Sequence, residues 1–342
     1  MCTAVALRAE EKETYTADAL LIGADAIGRG GSYIAGAGNS PLFQNFARQS
    51  ALQFSFTAFK LLSELNYLSA SYAQNGFGLG FLTMQDSAGY NRDENNNLTG
   101  GQINYSDSTI YAAYGFALDK LNLGLRLKYT TKSLGETANA SGFALDLAAL
   151  YSLNAYWSLG ALLNNVPNTS SLRWSDGRTE IFAASGILGV KYSVFGEQNN
   201  LNLYTDLNFE KSVIFPSGGV EWRPAEMLAL RGGLAQVYTW QDDRETIQLK
   251  PSAGLGLNLF GLFFDYAYSP DTELADSVTH FFTLSYIFGD LAANNDLAPE
   301  PEKRTDDAHR RQRIYKDIYN LSPEDQLDIE DLGYLNILPR DE

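Results

Sequence analysis

The sequence predicts an all-β protein: a transmembrane antiparallel β-barrel of about fourteen strands, with an N-terminal plug segment and a C-terminal periplasmic helical tail. Three observations carry this prediction. Leu121 to Thr130, LNLGLRLKYT, alternates apolar with small, polar or charged residues without a break, which is the period of a strand. The candidate strands mostly run nine to thirteen residues, where a globular strand averages about five or six and a tilted membrane-crossing strand needs about nine to eleven. Their connections alternate between tight turns and longer polar linkers, as on the two rims of an outer-membrane barrel.

Composition agrees. The 342 residues are 45 % hydrophobic and 13 % aromatic, only 19 % are charged, and 30 are glycine. Mean hydropathy is nevertheless slightly polar, at −0.21. Many strands, each apolar on one face only, give that combination. A net charge of −16 excludes a nucleic-acid partner, which would attract a basic surface. Cys2 is the one cysteine, so there is no disulfide framework. His280 and His309 stand far apart without cysteine neighbours, so no metal site is expected. The sequence has no apolar run of about 18 residues that would read as a transmembrane helix.

The chain divides by character. Residues 1–19 read as residual signal or linker, because TAVALRA resembles the end of a secretory signal. Residues 20–50 are rich in glycine and not strand-like, and read as a plug. Its marked positions are Gly23, Gly28, Gly30, Gly31 and Asn45. Gly28-x-Gly30-Gly31 does not follow an apolar strand, so it is read as glycine where backbone approaches backbone, not as a nucleotide loop.

The barrel is expected over 51–289. Its strands are placed near 51–59, 64–75, 77–86, 108–118, 121–132, 142–152 and 155–165, then 182–194, 200–211, 214–223, 226–239, 246–259, 261–269 and 278–288. Asn75-Gly76, Asp119-Lys120, Pro224-Ala225 and Phe260-Gly261 look like tight turns, whereas 87–107 and 166–181 look like long polar linkers. With short turns periplasmic and an even strand count, residues 1–50 and everything after 288 are expected on the periplasmic side.

The faces decide what the strands touch. A soluble sandwich would turn its apolar face inward and show Lys and Glu outside. Here the polar faces are sparse, and the apolar faces end in Tyr129, Tyr151, Trp157, Trp222 and Tyr268, as an interfacial girdle would. The leucines therefore face lipid. Arg126, Lys128, Asp146, Asp206, Glu210, Glu221, Arg223, Arg231 and Asp265 then point into the lumen. Buried charges of both signs need partners, and an internal network anchoring the plug or a polar path would supply them. Phe263, Phe281 and Ile287 also point inward.

Residues 290–308 have the composition of a disordered linker. Residues 309–342 follow as a periplasmic tail with short helices, in which Ile314, Ile318 and Leu321 share a helical face fit for docking.

GADAIGRGGSYIAGAGNSPLFQNFA resembles the N-terminal signature of the PorV/PorQ family of outer-membrane proteins, relatives of the FadL-type channels. That signature reads like G-A-R-A-L-G-M-G-G-A-Y, and later N-P-A-G-L. Gly23-Ala24, Ala26, Gly28, Gly30-Gly31 and Tyr33 match it, and Asn45-Phe46-Ala47 keeps the second element without its proline and glycine. The resemblance covers about 20–290 and implies a fourteen-stranded barrel with the N-terminal segment inside. Some members of that family act in protein secretion, and more distant relatives pass hydrophobic small molecules.

The sequence carries no G-x-S-x-G, no H-E-x-x-H and no serine–histidine spacing that supports catalysis, so no enzyme and no cofactor are expected. The first expectation is a binding or docking barrel of protein secretion or envelope assembly. The alternatives are a FadL-like transporter of hydrophobic small molecules and a structural envelope protein. The partners implied are outer-membrane lipid, a periplasmic or secreted protein reached through tail or loops, or a hydrophobic small molecule.

Overall fold

Side chains on a strand alternate between faces, so a strand with one apolar row can be satisfied only if each row meets its own medium. Closing the sheet gives two such media and removes the unpaired edges that hydrocarbon cannot tolerate. The computed structural model describes residues 13–14, 23–36, 38–48, 52–61, 65–92, 95–135, 138–167, 169–195, 200–210, 213–241, 244–270 and 278–288. The tail residues 309–342, with Ile314, Ile318 and Leu321, lie outside them.

The chain enters through β1 (Glu13–Thr14) and the six-residue helix α1 (Gly23–Gly28). Seven wall strands follow: β2 (Gln53–Leu61), β3 (Leu65–Gln74), β4 (Phe77–Arg92), β5 (Leu98–Leu118), β6 (Leu121–Leu134), β7 (Ala138–Ser152) and β8 (Trp157–Val166). A small hairpin, β9 (Ser171–Trp174) and β10 (Thr179–Phe182), interrupts the wall at one rim. Seven more strands complete it: β11 (Ser185–Phe195), β12 (Asn200–Glu210), β13 (Val213–Ala225), β14 (Leu228–Gln241), β15 (Arg244–Leu259), β16 (Leu262–Pro270) and β17 (Val278–Ile287). Successive wall strands pair antiparallel, β17 pairs with β2, and β8 pairs with β11. The barrel of fourteen strands is thereby closed.

The faces fall as the alternation requires. Leu125, Leu127 and Tyr129 are exposed on the outside, while Gly124, Arg126, Lys128 and Thr130 between them are buried. Phe282, Leu284, Tyr286 and Phe288 also face outward, and Phe263, Phe281 and Ile287 face inward. Leu118, Leu121 and Tyr151 sit side by side at one end of β5, β6 and β7, and Ile110, Tyr129 and Phe143 sit side by side eight residues higher, a span of nine residues. Nine residues of a tilted strand match the apolar band of an outer membrane, about 25 Å tall. The chain is a bacterial outer-membrane protein, and its contact with lipid follows from this band.

Tight turns occupy the rim below Leu118 and Tyr151. Asn75-Gly76 and Phe260-Gly261 both have positive φ at their two central positions, 48° and 86°, and 55° and 88°. Such turns match strand twist, and Asn and Gly tolerate that conformation best. Phe260 adopts it at full exposure, with no neighbour to crowd its ring.

Three expectations about the connections are corrected. Residues 87–107 are mostly strand, because β4 continues to Arg92 and β5 begins at Leu98. Residues 166–181 hold the β9–β10 hairpin. Asn, Gly and Ser lower strand propensity, but cross-strand pairing of a hairpin that rises above the membrane outweighs it. Pro224-Ala225 lies within β13, where a register shift between Trp222 and Ala225 accommodates a proline without an N–H donor. The expectation that all of 1–50 lies toward the short-turn rim also fails. β1 pairs in parallel with β10 at the opposite, long-loop rim, where the small hairpin offers an open edge.

Candidate functional site

The lumen holds residues 23–36 and 38–48. α1 ends at Gly28, so Gly30 and Gly31 follow the helix instead of opening it, the reverse of a phosphate-binding loop. Gly30, with φ of 72°, lies between the backbones of Gly218 and Leu234, where a Cβ would have no room. Wall glycines answer it. A Cβ on Gly219 or Gly233 would fall on the backbone at Arg29 and Gly30, and one on Gly160 would fall on Ile34. Gly115 and Gly124 make the same room for Phe46 and Ala47 on the far side. The plug is thus seated backbone to backbone against several strands around the bore.

Charge fixes it at three places. On β13 and its neighbours, Glu221 Oε2 accepts from Arg29 Nη1 of the plug at 3.0 Å and from Arg231 Nε of β14 at 2.6 Å. Arg231 Nη1 also donates to Asp265 Oδ1 of β16 at 2.6 Å, and Asn39 Nδ2 of the plug donates to Asp265 Oδ2 at 2.6 Å. Within the plug, Asp25 accepts from Arg29 Nη2 at 3.0 Å and from Gln44 Nε2 at 2.7 Å.

The second place is Asp146 on β7, which accepts from Arg126 Nε at 2.8 Å and pairs with Lys128 Nζ at 2.8 Å. Arg126 Nη1 reaches the plug carbonyl of Leu42 at 2.8 Å, and its guanidinium lies 4.6 Å from the ring centre of Phe46. The third is Asp206 on β12, whose Oδ2 accepts the N–H groups of Tyr33 at 2.7 Å and Ile34 at 3.0 Å. Asn45 adds a neutral staple: its Nδ2 donates to Ile34 O at 2.6 Å and Ala149 O at 3.2 Å.

Of the nine lumen charges read from sequence, seven are buried: Arg126, Lys128, Asp146, Asp206, Glu221, Arg231 and Asp265. Arg223 is at the margin, one quarter exposed, and pairs with Glu221. Glu210 stands apart from these clusters, at the rim end of β12. Sequence reasoning missed Asp25, Arg29, Asn39 and Gln44, the plug's own half of the network. The spacing of Asp25 and Arg29, i and i+4 on a helix, was the one available signal.

A cavity of about 380 Å³ remains on the long-loop side of the plug, between Gly31 and Tyr33 below and β8 and β11–β14 around it. Its walls include Ile187, Phe209, Phe215, Ala235 and Val237, with Asn165, Asn208 and Glu210 among the polar groups. The wall opens beside it. β13 and β14 pair from Ala225 to Ser217, the last partner being Ala235. Beyond that, Val213–Pro216 pair with β12 and Gln236–Gln241 with β15, but not with each other. Pro216 cannot donate to a ladder at the point of parting.

Among the described residues no group of three His, Cys, Asp or Glu could hold a metal ion. His280 is exposed on β17, its Nδ1 2.7 Å from the hydroxyl of Tyr266.

No protein-family model matches the chain, and a search of curated proteins finds no match. Solved structures do resemble it. The toluene transporter TodX of P. putida aligns with a TM-score of 0.52 at 14 % identity, over 78 % of this chain and 98 % of that one. The CymD monoaromatic hydrocarbon channel gives 0.50 at 13 % identity, again over 78 % and 98 %. The chain has the barrel fold of these two structures. A Pseudomonas aeruginosa FadL homologue aligns more loosely, with a TM-score of 0.47 at 10 % identity over 78 % and 98 %. At such identities the shared property is the fold.

Proposed function

We infer that this FadL-like barrel binds hydrophobic small molecules and passes them across the outer membrane, with residues 23–48 as a hatch. The observation that carries the reading is the cavity above the plug, lined by Ile187, Phe209, Phe215 and Val237 and lying where β13 and β14 part. A concavity with apolar walls and a few polar groups is the ordinary form of a small-molecule site. Two of the solved structures that it resembles, at TM-scores of 0.52 and 0.50, are named as a toluene transporter and a monoaromatic hydrocarbon channel, which favours the same class of cargo here.

The plug closes the straight route down the bore, so passage requires it to shift. The Arg29–Glu221 ion pair, the hydrogen bond from Asn39 to Asp265 and that from Arg126 to Leu42 O hold the resting position. A PorV/PorQ-type docking role in secretion would act through the tail at Ile314, Ile318 and Leu321 or through the loops, and the cavity favours neither. The channel reading is therefore preferred to the docking one expected from sequence.

The test is flux. The full chain, reconstituted in liposomes, should accelerate entry of toluene or a long-chain fatty acid over empty liposomes. Removal of residues 309–342 should leave that rate unchanged. Failure to accelerate either compound, together with no retention of either by the detergent-solubilised protein, would reject the proposal.

A further inference from the structure

The outer wall carries a polar patch above the apolar band of β5, β6 and β7. On β5, β6 and β7 the apolar band ends in one row, where Ile110 pairs with Tyr129 and Tyr129 with Phe143. The next outward row toward the long loops is Ser108, Thr131, Ser141 and Arg173, each the cross-strand partner of the one before. The row after that has Ser133 beside Asn139, and Asn139 joined to Ser175 by two hydrogen bonds, N–H to O at 2.7 Å and N–H to Oγ at 3.3 Å. A hollow of about 510 Å³ lies along these rows, between β6, β7 and the β9–β10 hairpin.

Its charge is as distinct as its place. Arg173 is exposed, its neighbours across the ladder are the hydroxyls of Ser141 and Thr179, and no carboxylate lies in either row among the described residues. This cation stands out on a chain of net charge −16. The hairpin's other arginine, Arg178, is by contrast paired with Asp176 at 2.6 Å and lies 5.3 Å from the ring centre of Trp174. One row above the apolar band is the depth at which lipid headgroups begin. The long-loop rim places it in the outer leaflet.

We propose that this patch seats the headgroup of a phosphorylated glycolipid of the outer leaflet. Arg173 takes the phosphate, and Ser133, Ser141, Asn139 and Ser175 take sugar hydroxyls. A guanidinium suits phosphate because its fork of donors matches two phosphate oxygens at once. Hydroxyl and amide side chains both donate and accept, which suits a sugar's alternating groups. The acyl chains of the same lipid would lie along Ile110, Tyr129 and Phe143 immediately below, so one molecule would satisfy both rows.

The full-length protein, purified in detergent, should be examined by native mass spectrometry with three probes: diphosphoryl lipid A, its dephosphorylated form, and phosphatidylglycerol. Diphosphoryl lipid A should be retained about tenfold better than the other two. R173Q should lose that advantage, and R178Q should keep it. Heat-dependent gel mobility confirms that each variant is a folded barrel. Equal retention of all three lipids by the wild type, or unaltered lipid A retention by folded R173Q, would overturn the proposal. A second arm separates charge from geometry: R173K should hold diphosphoryl lipid A less well than the wild type but better than R173Q.

Discussion

Arg29, carried by the plug, and Glu221, carried by the wall, meet at 3.0 Å with both side chains almost wholly out of water. Around this contact, Glu221 also accepts from Arg231 and Arg223, and Arg29 also donates to Asp25. One carboxylate thus serves three guanidiniums from two parts of the fold. Glu221 is surrounded by positive charge that it offsets together with Asp25 and Asp265, so its loss should matter more than the loss of any single arginine.

Substituting Glu221→Ala leaves three arginines short of their common acceptor. Removing one member of a buried pair costs on the order of 3–5 kcal/mol, because the remaining charge stays buried without compensation. The expected result is a lower unfolding temperature and a loosened plug within an intact barrel. Trypsin makes this readable, because the bond after Arg29 is sheltered in the folded protein. Cleavage there in E221A, with the barrel still resisting denaturation on a gel, would show the plug released. The same resistance in E221A as in the wild type would show that packing alone seats it.

Packing has its own test at Gly233. A Cβ at this position would meet the backbone of Arg29 and Gly30, which cannot yield as a flexible side chain would. Gly233→Val should therefore displace the plug without touching a charge. Overpacking of this sort costs about 1–3 kcal/mol. In planar bilayers the variant should conduct ions more often than the wild type. Gly232→Val, next door on the lipid side, should conduct like the wild type, because a Cβ there meets only a distant contact with Val220.

Much of this was legible in the sequence, for a physical reason. A period of two survives in any strand that separates two media, and LNLGLRLKYT shows which positions share a face before any fold is known. The inward row of Arg126 and Lys128, and their partner Asp146, followed from that parity alone. The plug gave up less. Asp25, Arg29, Asn39 and Gln44 sit in a segment without strand period, so nothing local says that Arg29 meets β13, that Asn39 meets β16 or that Gln44 folds back on Asp25. The rim hairpins were hidden for another reason. Asn95, Asn96 and Asn97 favour turns in isolation, and only pairing between β4 and β5 carries the strand up to them.

The lipid-facing assignment can be read as an energy. Leu125 stands in the middle of the apolar row of β6, whereas Thr131 lies one row above its end. An arginine at midplane on the lipid face costs about 2–4 kcal/mol, and near the interface about 0–1. Leu125→Arg should therefore fold into lipid vesicles with a stability lower by that larger amount, while Thr131→Arg should be nearly neutral. Equal penalties at the two positions would contradict the band drawn through Ile110, Tyr129 and Phe143.

The cavity supplies the last expectation. Ala235 is the final β14 residue that pairs with β13, and it lines both the cavity and the mouth where the two strands part. An indole at this position would fill part of the space without altering any ion pair of the plug. Ala235→Trp should keep the wild-type tryptic pattern at Arg29 and the wild-type barrel mobility. It should nevertheless retain a bound hydrocarbon or fatty acid several-fold less well, because the ligand's apolar contact area is now occupied by protein. Retention is measured in detergent with a radiolabelled ligand. If A235W bound as well as the wild type while an indole demonstrably stood in the cavity, the ligand would have to lie elsewhere. The parting of β13 and β14 would then be only the divergence of two hairpins above the membrane.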